Sequence, residues 1–252
     1  MGVNPKLLRR SPLFADLAPA DVNVVADMAT TRWFDRGERL FASGDRIGAF
    51  YVVIDGSVKL SRATPSGKTM VVDFRGPGQV VGVGVVVGQE RHSDDAHAIE
   101  DVLTARVPVG DAVDFLKSRP AAVLSLARYL TERLDASEQK IAALATKRVH
   151  QRLGGALLDL SDSLGAVVNG VTVINARLTQ AELADWIGAT RETTSTLLNG
   201  LRRAGFIEIV GRRIHMVAPL SIEAYASVEN LPDDLSDLPA ASHQEPALAR
   251  SA

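Results

Sequence analysis

The sequence of 252 residues contains no cysteine. It therefore cannot form a disulfide, a thiolate zinc site or a cysteine-ligated iron–sulfur cluster, and it offers no cysteine nucleophile. No apolar run approaches the roughly 18 residues that a membrane-spanning helix needs. The first residues, MGVNPKLLRRSPLF, lack the apolar core of a signal peptide. These absences predict a cytoplasmic protein that does not enter the membrane.

Histidine is also scarce, with five residues at positions 92, 97, 150, 215 and 243. A small β-barrel enzyme of the cupin type would need a His-x-His pair to hold its metal, and the sequence has none. Gly82-Val83-Gly84 lacks the third glycine and the following helix of a dinucleotide-binding loop. We therefore expect no enzymatic activity, no catalytic residue and no metal site.

The formal net charge of −2 hides an uneven distribution of charge along the chain. Residues 1–145 carry 18 basic and 18 acidic side chains, residues 146–216 carry 9 and 6, and residues 217–252 carry 1 and 6. The only basic excess therefore lies in the middle segment. A local excess of this kind is what a nucleic-acid-binding domain requires.

Residues 31–109 have the pattern of a small all-β domain that follows short helices between Pro5 and Met28. Runs rich in β-branched and aromatic residues, such as 50–54 and 69–74, alternate with closely spaced turn signals. Glycine tolerates positive φ at such corners, so the spacing predicts a small barrel or jelly roll. The turn signals lie at Gly37, Gly44-Asp45, Asp55-Gly56, Ser66-Gly67 and Gly76-Pro77-Gly78.

A long helix is predicted to begin at Pro120 and to run to residue 145. Apolar or small residues recur in it at alternating spacings of four and three, which is a heptad row suited to pairing with a second helix. Packing on the chain's own β domain is the alternative, although the polar Ser137 in the centre of the row is not needed for that. The row consists of Val123, Ala127, Leu130, Leu134, Ser137, Ile141 and Leu144. We expect Leu130, Leu134, Ile141 and Leu144 to form the dimer interface.

Residues 178–206 have the pattern of two short helices joined by a tight turn, after a predicted helix at 149–164 and a strand at 171–174. Thr179 with Glu182 forms a capping box, and the first helix ends at Gly188, which can adopt a left-handed cap. Thr190 caps the second helix. Together they predict a helix-turn-helix, to which a strand pair at 206–210 and 213–217 adds a wing.

The second helix predicts DNA binding, because its first turns carry side chains that can reach base edges in the major groove. Arginine pairs with guanine, and glutamate accepts from the cytosine amino group. The expected base contacts are Arg191, Glu192, Ser195 and Thr196, on the side away from the expected buried residues Thr194, Leu197, Leu198 and Leu201. The expected phosphate contacts are Thr179, Thr190, Thr193 and Arg212. A winged helix used only for protein contacts is the alternative.

Over residues 6–225 the chain resembles the cyclic-AMP receptor protein/FNR (Crp/Fnr) family of bacterial transcription regulators. The segment 189–193 (ATRET) is similar to the family's Ser-Arg-Glu-Thr recognition helix, and 50–60 (FYVVIDGSVKL) is similar to its nucleotide-binding β-roll. The resemblance implies an α+β protein with an N-terminal cyclic-nucleotide-binding-like β-roll (jelly roll), a long central dimerisation helix and a C-terminal winged helix-turn-helix. The corresponding boundaries are 1–119, 120–145 and 146–219, followed by an acidic tail, 220–252, that we expect to be disordered.

The partners that the resemblance implies are double-stranded DNA, bound at palindromic promoter sites, and a second copy of the chain. RNA polymerase is a further candidate partner. Thr196 stands where the family often has a second base-reading arginine, which predicts a different or looser preference at one base pair of the half-site.

The sensor departs from the family's phosphate cassette, a Gly-Glu pair followed about ten residues later by Arg-Ser/Thr-Ala. Val83 takes the glutamate position after Gly82, and His92 takes the arginine position before Ser93. Two carboxylates, Asp94 and Asp95, follow and would repel an anion. Ser137 resembles the adenine-contacting position but is followed by Glu138. The candidate effector residues are Gly82, Val83, Arg91, His92, Ser93, Ser137 and Glu138.

These departures predict that cyclic AMP is not the effector, and the absence of cysteine excludes cluster sensing of the FNR type. Several alternatives stay open. A one-residue slip that brings Arg91 into the cassette would restore a cyclic-nucleotide site. His92 or His97 could ligate haem or could be surface residues. The β-roll could bind an unidentified effector or serve only as a scaffold.

Overall fold

The computed structural model describes residues 2–65, 67–84, 88–232, 235 and 238. Its chain begins with short helices, and each of the three has a proline in its first turn. Proline suits that position because the N–H group that it lacks would have no partner within the helix. Within the described ranges, no helix combines the length and apolar character that a bilayer crossing requires. The helices are α1 (Pro5–Leu8), α2 (Pro12–Ala15) and α3 (Pro19–Met28).

Residues 30–108 form two four-stranded antiparallel sheets, with strand orders β1-β8-β3-β6 and β2-β7-β4-β5. Alternate side chains of both sheets enclose one apolar core, to which Phe34, Val53 and Leu60 belong. This arrangement confirms the expected jelly roll. Of the predicted Ser66-Gly67 turn, Gly67 has φ +79°, whereas Ser66 lies outside the described residues. The strands are β1 (Thr30–Phe34), β2 (Arg39–Phe41), β3 (Ala49–Asp55), β4 (Val58–Ala63), β5 (Thr69–Arg75), β6 (Val80–Val81), β7 (Asp95–Ala98) and β8 (Val102–Pro108).

Two helices, α4 (Val109–Ser118) and α5 (Pro120–Thr146), follow the sheets. The first part of α5 packs on the sensor, where the Ser125 hydroxyl donates to the Leu13 carbonyl at 2.8 Å. The predicted heptad row lies on another side of α5 and is largely exposed in the single chain, with Leu134 at 57% and Ile141 at 66% of full exposure. The alternative in which this row packs on the chain's own β domain is therefore wrong for most of its length, since only Leu130 packs against a core of the same chain.

The C-terminal part has the predicted helix-turn-helix and wing. A four-stranded sheet in the order β11-β12-β10-β9 covers one side of its helices, and its core contains the fully buried Leu153, Ile174 and Leu201. The elements are α6 (Val149–Leu164), β9 (Gly165–Val168), β10 (Val171–Ile174), α7 (Gln180–Ile187), α8 (Arg191–Arg203), β11 (Ile207–Val210), β12 (Arg213–Met216) and α9 (Pro219–Ser227).

The expectation of a disordered tail from residue 220 is wrong for its first part. Helix α9 packs along α6 and buries Ile222 and Tyr225 completely. Further along, Leu238 is only 6% exposed and belongs to the same core, against which Leu235 also packs. The acidic composition obscured these spaced apolar residues, whose burial outweighs the cost of ordering the segment. Residues 239–252 lie outside the described residues.

The sensor and the helix-turn-helix share a core. Val71 and Phe74 of strand β5 and Ile99 of the β7–β8 turn belong to the same buried cluster as the helices of the C-terminal part. The Phe74 and Trp186 rings meet edge to face, with centroids 5.2 Å apart at an interplanar angle of 83°. This geometry is favourable for aromatic pairs, so the helix-turn-helix part is packed directly on the β-roll.

Candidate nucleic-acid interface and sensor cavity

The N-terminus of α7 has the predicted capping box. The Thr179 hydroxyl oxygen accepts from the Glu182 N–H at 3.1 Å, and the Glu182 carboxylate accepts from the Thr179 N–H at 3.0 Å. The helix ends at Gly188, whose φ of 65° and ψ of 47° form the left-handed cap. The Thr179 hydroxyl also donates to Glu182 at 2.9 Å. The Thr179 hydroxyl hydrogen is therefore used within the cap. The N–H groups at the start of the helix that have no partner within it remain for a phosphate.

Helix α8 presents most of the expected base contacts to solvent. Arg191, Glu192 and Thr196 are exposed, whereas Ser195 is half-buried. The Thr196 hydroxyl donates to the Glu192 carbonyl at 3.0 Å. On the opposite side Thr194, Leu198 and Leu201 are buried; Leu197, expected to be buried, is only half-buried.

A second pair of threonines caps α8. The Thr190 oxygen accepts from the Thr193 N–H at 3.1 Å, and the two hydroxyls lie 3.0 Å apart. Because only one of these hydroxyls donates to the other, one hydroxyl hydrogen remains for an outside acceptor. The cap therefore fixes the start of α8 and leaves one donor at the exposed helix end, next to Arg191.

The wing is a two-residue hairpin in which Gly211 (φ 57°) and Arg212 (φ 69°) both have left-handed backbones. Such a turn matches the twist of the flanking strands, but a non-glycine residue in this region costs roughly 1 kcal/mol. The sequence did not indicate that Arg212 takes this conformation. The guanidinium is exposed at the tip of the wing, which suits a phosphate contact.

The three elements thus form one candidate interface, made by the start of α7, the outward side of α8 and the tip of the wing. Exposed cations that the sequence analysis counted but did not assign extend it. They are Arg177 before α7 and Arg202 and Arg203 at the end of α8.

A cavity of about 600 Å³ lies between the β-roll, α5 and the helices α6 and α7. Of the seven candidate effector residues, Gly82, Val83, His92, Ser93 and Ser137 line it. Arg91 does not: it is exposed, and its guanidinium donates to the Gly44 carbonyl at 2.6 Å. Glu138 is exposed on α5 and also lies outside the lining.

His92 is buried, with 7% exposure, and is not a surface residue. Its ring stacks on Phe41 with centroids 3.5 Å apart and an interplanar angle of 6°. Burial lowers the pKa of His92 below its usual value, although the charges of Asp45 and Asp94 act in the opposite direction. A neutral, stacked imidazole cannot supply the charged fork with which a guanidinium binds phosphate.

The two carboxylates after Ser93 are engaged within the protein. Asp94 lines the cavity but forms an ion pair with Arg62 at 2.8 Å. Asp95 accepts from the Ser43 N–H at 3.1 Å and does not line the cavity. The charge of Asp94 is therefore paired within the protein, whereas that of Asp95 lies outside the lining, and the repulsion of an anion by the two carboxylates stays a prediction.

A charged cluster in the cavity was missed by the sequence analysis. The Asp73 carboxylate binds both Arg75 and Arg133. Burial alone would raise the pKa of Asp73, but the two guanidinium groups hold it below its usual value. Lys140 donates to the Val72 carbonyl at 2.8 Å, and burial lowers its pKa to about 8. Charged residues in an otherwise apolar strand, β5, were the only signal.

Polar contacts link the sensor to both flanks of α8. Lys59 of β4 pairs with Glu182 of α7 at 2.7 Å. Glu100, in the turn before β8, pairs with Arg213 at the start of the second wing strand at 3.3 Å. The sensor therefore contacts the two elements that flank the recognition helix.

Fold and site together define a regulator in which a helix-turn-helix DNA-binding domain is attached to a β-roll domain. Residues 31–119 match the family model of the cyclic nucleotide-binding domain, and residues 151–224 match that of the Crp-like helix-turn-helix domain. The chain belongs to the Crp/Fnr family of transcription regulators. Its matched relatives are regulators and not enzymes, in agreement with the sequence analysis.

Three similar proteins illustrate the relationship. The transcriptional regulatory protein btr of Bordetella pertussis is 30% identical over 73% of this chain and 75% of its own length. A CRP-like cAMP-activated global transcriptional regulator of Mycobacterium tuberculosis is 26% identical over 83% of this chain and 93% of its own. The crystal structure of a CRP/FNR-family transcriptional regulator from Thermus thermophilus has a TM-score of 0.63 and 28% identity, and it covers 80% of this chain and 100% of the other.

Proposed function

We propose that this regulator binds palindromic promoter DNA as a homodimer and that cyclic AMP does not control it. The observation that carries the proposal is the exposed apolar row of α5, which runs in the same chain as an exposed recognition helix. Apart from Leu130, its own chain leaves the apolar side chains of this row largely exposed, and such a row is what a parallel helix pair would bury.

The dimer would be formed by α5, with Leu130, Leu134, Ile141 and Leu144 of each chain packed against the partner. Exposed apolar side chains at a sustained heptad spacing favour association. Two-fold symmetry would place two copies of α8 about one helical turn of DNA apart, roughly 34 Å, so that each reads one half-site of a palindrome.

The exposed side chains indicate which residues would contact bases and which would contact phosphates. Arg191 and Glu192 start the outward side of α8 and would read base edges. Arg212 at the wing tip and the N–H groups after Thr179 would hold phosphates and set the register. The basic excess of residues 146–216 supports DNA binding by this part of the chain.

The proposal that cyclic AMP is not the effector rests on the phosphate end of the cavity. Val83 and the stacked His92 stand where a cyclic phosphate would need hydrogen-bonding partners, and Arg91 bonds elsewhere. The relative from Mycobacterium tuberculosis is named for activation by cAMP, but at 26% identity that property does not transfer. The cavity of about 600 Å³ has room for a small effector, which favours an effector over a β-roll that serves only as a scaffold. The altered phosphate end favours an effector other than cyclic AMP.

Selection of binding sites from random DNA by the full-length protein tests the first half of the proposal. We expect enrichment of a palindrome whose half-sites are one helical turn apart, and a single asymmetric half-site would contradict it. The second half is tested by calorimetry and thermal denaturation with cyclic AMP. A ligand bound only by the folded protein raises its stability, so one-per-subunit binding together with tighter DNA binding would overturn that half alone.

A further inference from the structure

The outward side of α8 extends further along the helix than its first turns. The buried residues Thr194, Leu198 and Leu201 define the inward side. At about 100° per residue, the direction opposite to them passes between Glu192 and Thr196. Asn199 lies within about 20° of Glu192 around the helix axis, because the two are seven residues apart. Asn199 is exposed, and it lies nearly above Glu192 on the surface that would face DNA.

Thr196 and Asn199, on the outward side of α8, differ in the hydrogen bonds that their side chains can still make. The Thr196 hydroxyl is used within the helix, in its bond to the Glu192 carbonyl at 3.0 Å. The Asn199 amide makes no hydrogen bond to any part of the chain that the structure describes. It therefore offers a donor and an acceptor side by side, which is the pattern that pairs with the N6 and N7 atoms of adenine in the major groove.

We propose that Asn199 is a specificity-determining residue that reads an adenine in each half-site. The inference rests on the proposed binding of palindromic DNA through α8. Seven residues of helix span about 10 Å, and successive base pairs are about 3.4 Å apart. Asn199 therefore reads a base pair about three steps from the one that Glu192 contacts.

The backbone that carries Asn199 is supported from behind. Leu198 and Leu201 are buried on either side of it in the sequence. At Gly200 an added Cβ would lie 3.5 Å from a methyl group of Leu235, so the C-terminal segment packs beside this turn of the helix. A reading side chain on a packed helix holds its geometry better than one on a loop.

The experiment compares the wild-type chain with Asn199→Ala in site selection and in titrations of the selected palindrome. Alanine is a good helix former at an exposed position, so the fold is retained. Asn23→Ala, on the exposed side of α3 in the sensor, is the matched control. The selected adenine is also replaced by 7-deazaadenine, which lacks the N7 acceptor.

We expect Asn199→Ala to lose about tenfold or more of its preference for adenine at one base pair in each half-site. The 7-deazaadenine site should weaken binding by the wild type and by Asn23→Ala but leave Asn199→Ala unaffected. A palindrome selected equally by Asn199→Ala and the wild type would overturn the role of Asn199 and leave the proposed function intact. If the wild type selects no palindrome, both proposals fail.

Discussion

Lys59 of strand β4 and Glu182 of helix α7 form an ion pair between the sensor and the helix-turn-helix, with Nζ and Oε1 2.7 Å apart. The two residues are 123 positions apart in the sequence. Glu182 also closes the capping box with Thr179. Burial alone would raise the pKa of Glu182, but its hydrogen bonds to Lys59 and Thr179 hold the pKa below its usual value. The ion pair is therefore present at neutral pH and is lost as the pH falls through that lowered pKa.

Removal of either partner should loosen the contact between the domains. We expect Lys59→Met and Glu182→Gln each to lower the free energy of unfolding by about 1 kcal/mol, since glutamine keeps the capping box and removes only the charge. The double variant should lose little more than either single one. Urea denaturation measures all three. Lys117→Met, which breaks the exposed pair with Asp114, is the control, and fully additive losses would show that Lys59 and Glu182 are not coupled.

The exposed row of α5 predicts the effect of charge on assembly. Leu134→Asp or Ile141→Asp would place a desolvated charge between paired helices, at a cost of several kcal/mol. Sedimentation should then detect monomers that bind the palindrome much more weakly. Leu124→Asp is the matched control, because Leu124 is equally exposed, at 62%, but lies off the row. A wild-type monomer at micromolar concentration would contradict the proposed dimer.

Two arginines should separate the reading of bases from the holding of phosphates. Arg191→Ala should cost about 1–3 kcal/mol on the selected site and relax the preference at one base pair. Arg212→Asn keeps a residue that tolerates the left-handed backbone and removes the charge. It should weaken binding to selected and random DNA alike and lower the salt dependence by about one phosphate contact.

Titrations of selected and random DNA over a range of salt concentrations measure the sequence preference and the salt dependence of each variant. Arg36→Ala, which removes an exposed arginine of the β-roll, should change neither quantity. If Arg191→Ala lowered both affinities equally and left the preferred sequence unchanged, α8 would not be the reader. The wing would then become the better candidate.

Lys140 predicts a pH dependence of stability. Burial lowers its pKa to about 8 from an ordinary 10.5, and the charges of Asp73 and Asp159 only partly oppose that shift. Between these two pH values the unfolded chain binds more protons, so folding becomes more favourable as the pH rises. The free energy of unfolding of the wild type minus that of Lys140→Met should therefore be flat below about pH 8 and increase up to about 10.5. Parallel profiles for the two proteins would contradict the buried position of Lys140.

Much of the helix-turn-helix was predictable because its signals are local. The capping box of α7, the Thr190 cap of α8, the Gly188 cap and the hairpin turn each involve residues within a few positions of one another, so the sequence displays them directly. The heptad row of α5 was predictable for a similar reason, since its period is a property of one helix. The jelly roll was predictable as a class from the spacing of its turns, whereas the pairing of its strands was not.

The sequence by itself determined the β-rich region, the long helix α5 and the helix-turn-helix, which side of α8 faces outward and that the phosphate cassette is altered, but not helix α9. Only the tertiary structure decided that His92 stacks on Phe41, that Asp73 bridges Arg75 and Arg133, and that Leu238 belongs to the core. Most of these contacts join residues that are distant along the chain. Local propensity and periodicity carry no record of them, because their energies depend on burial and proximity that arise when the domains pack together.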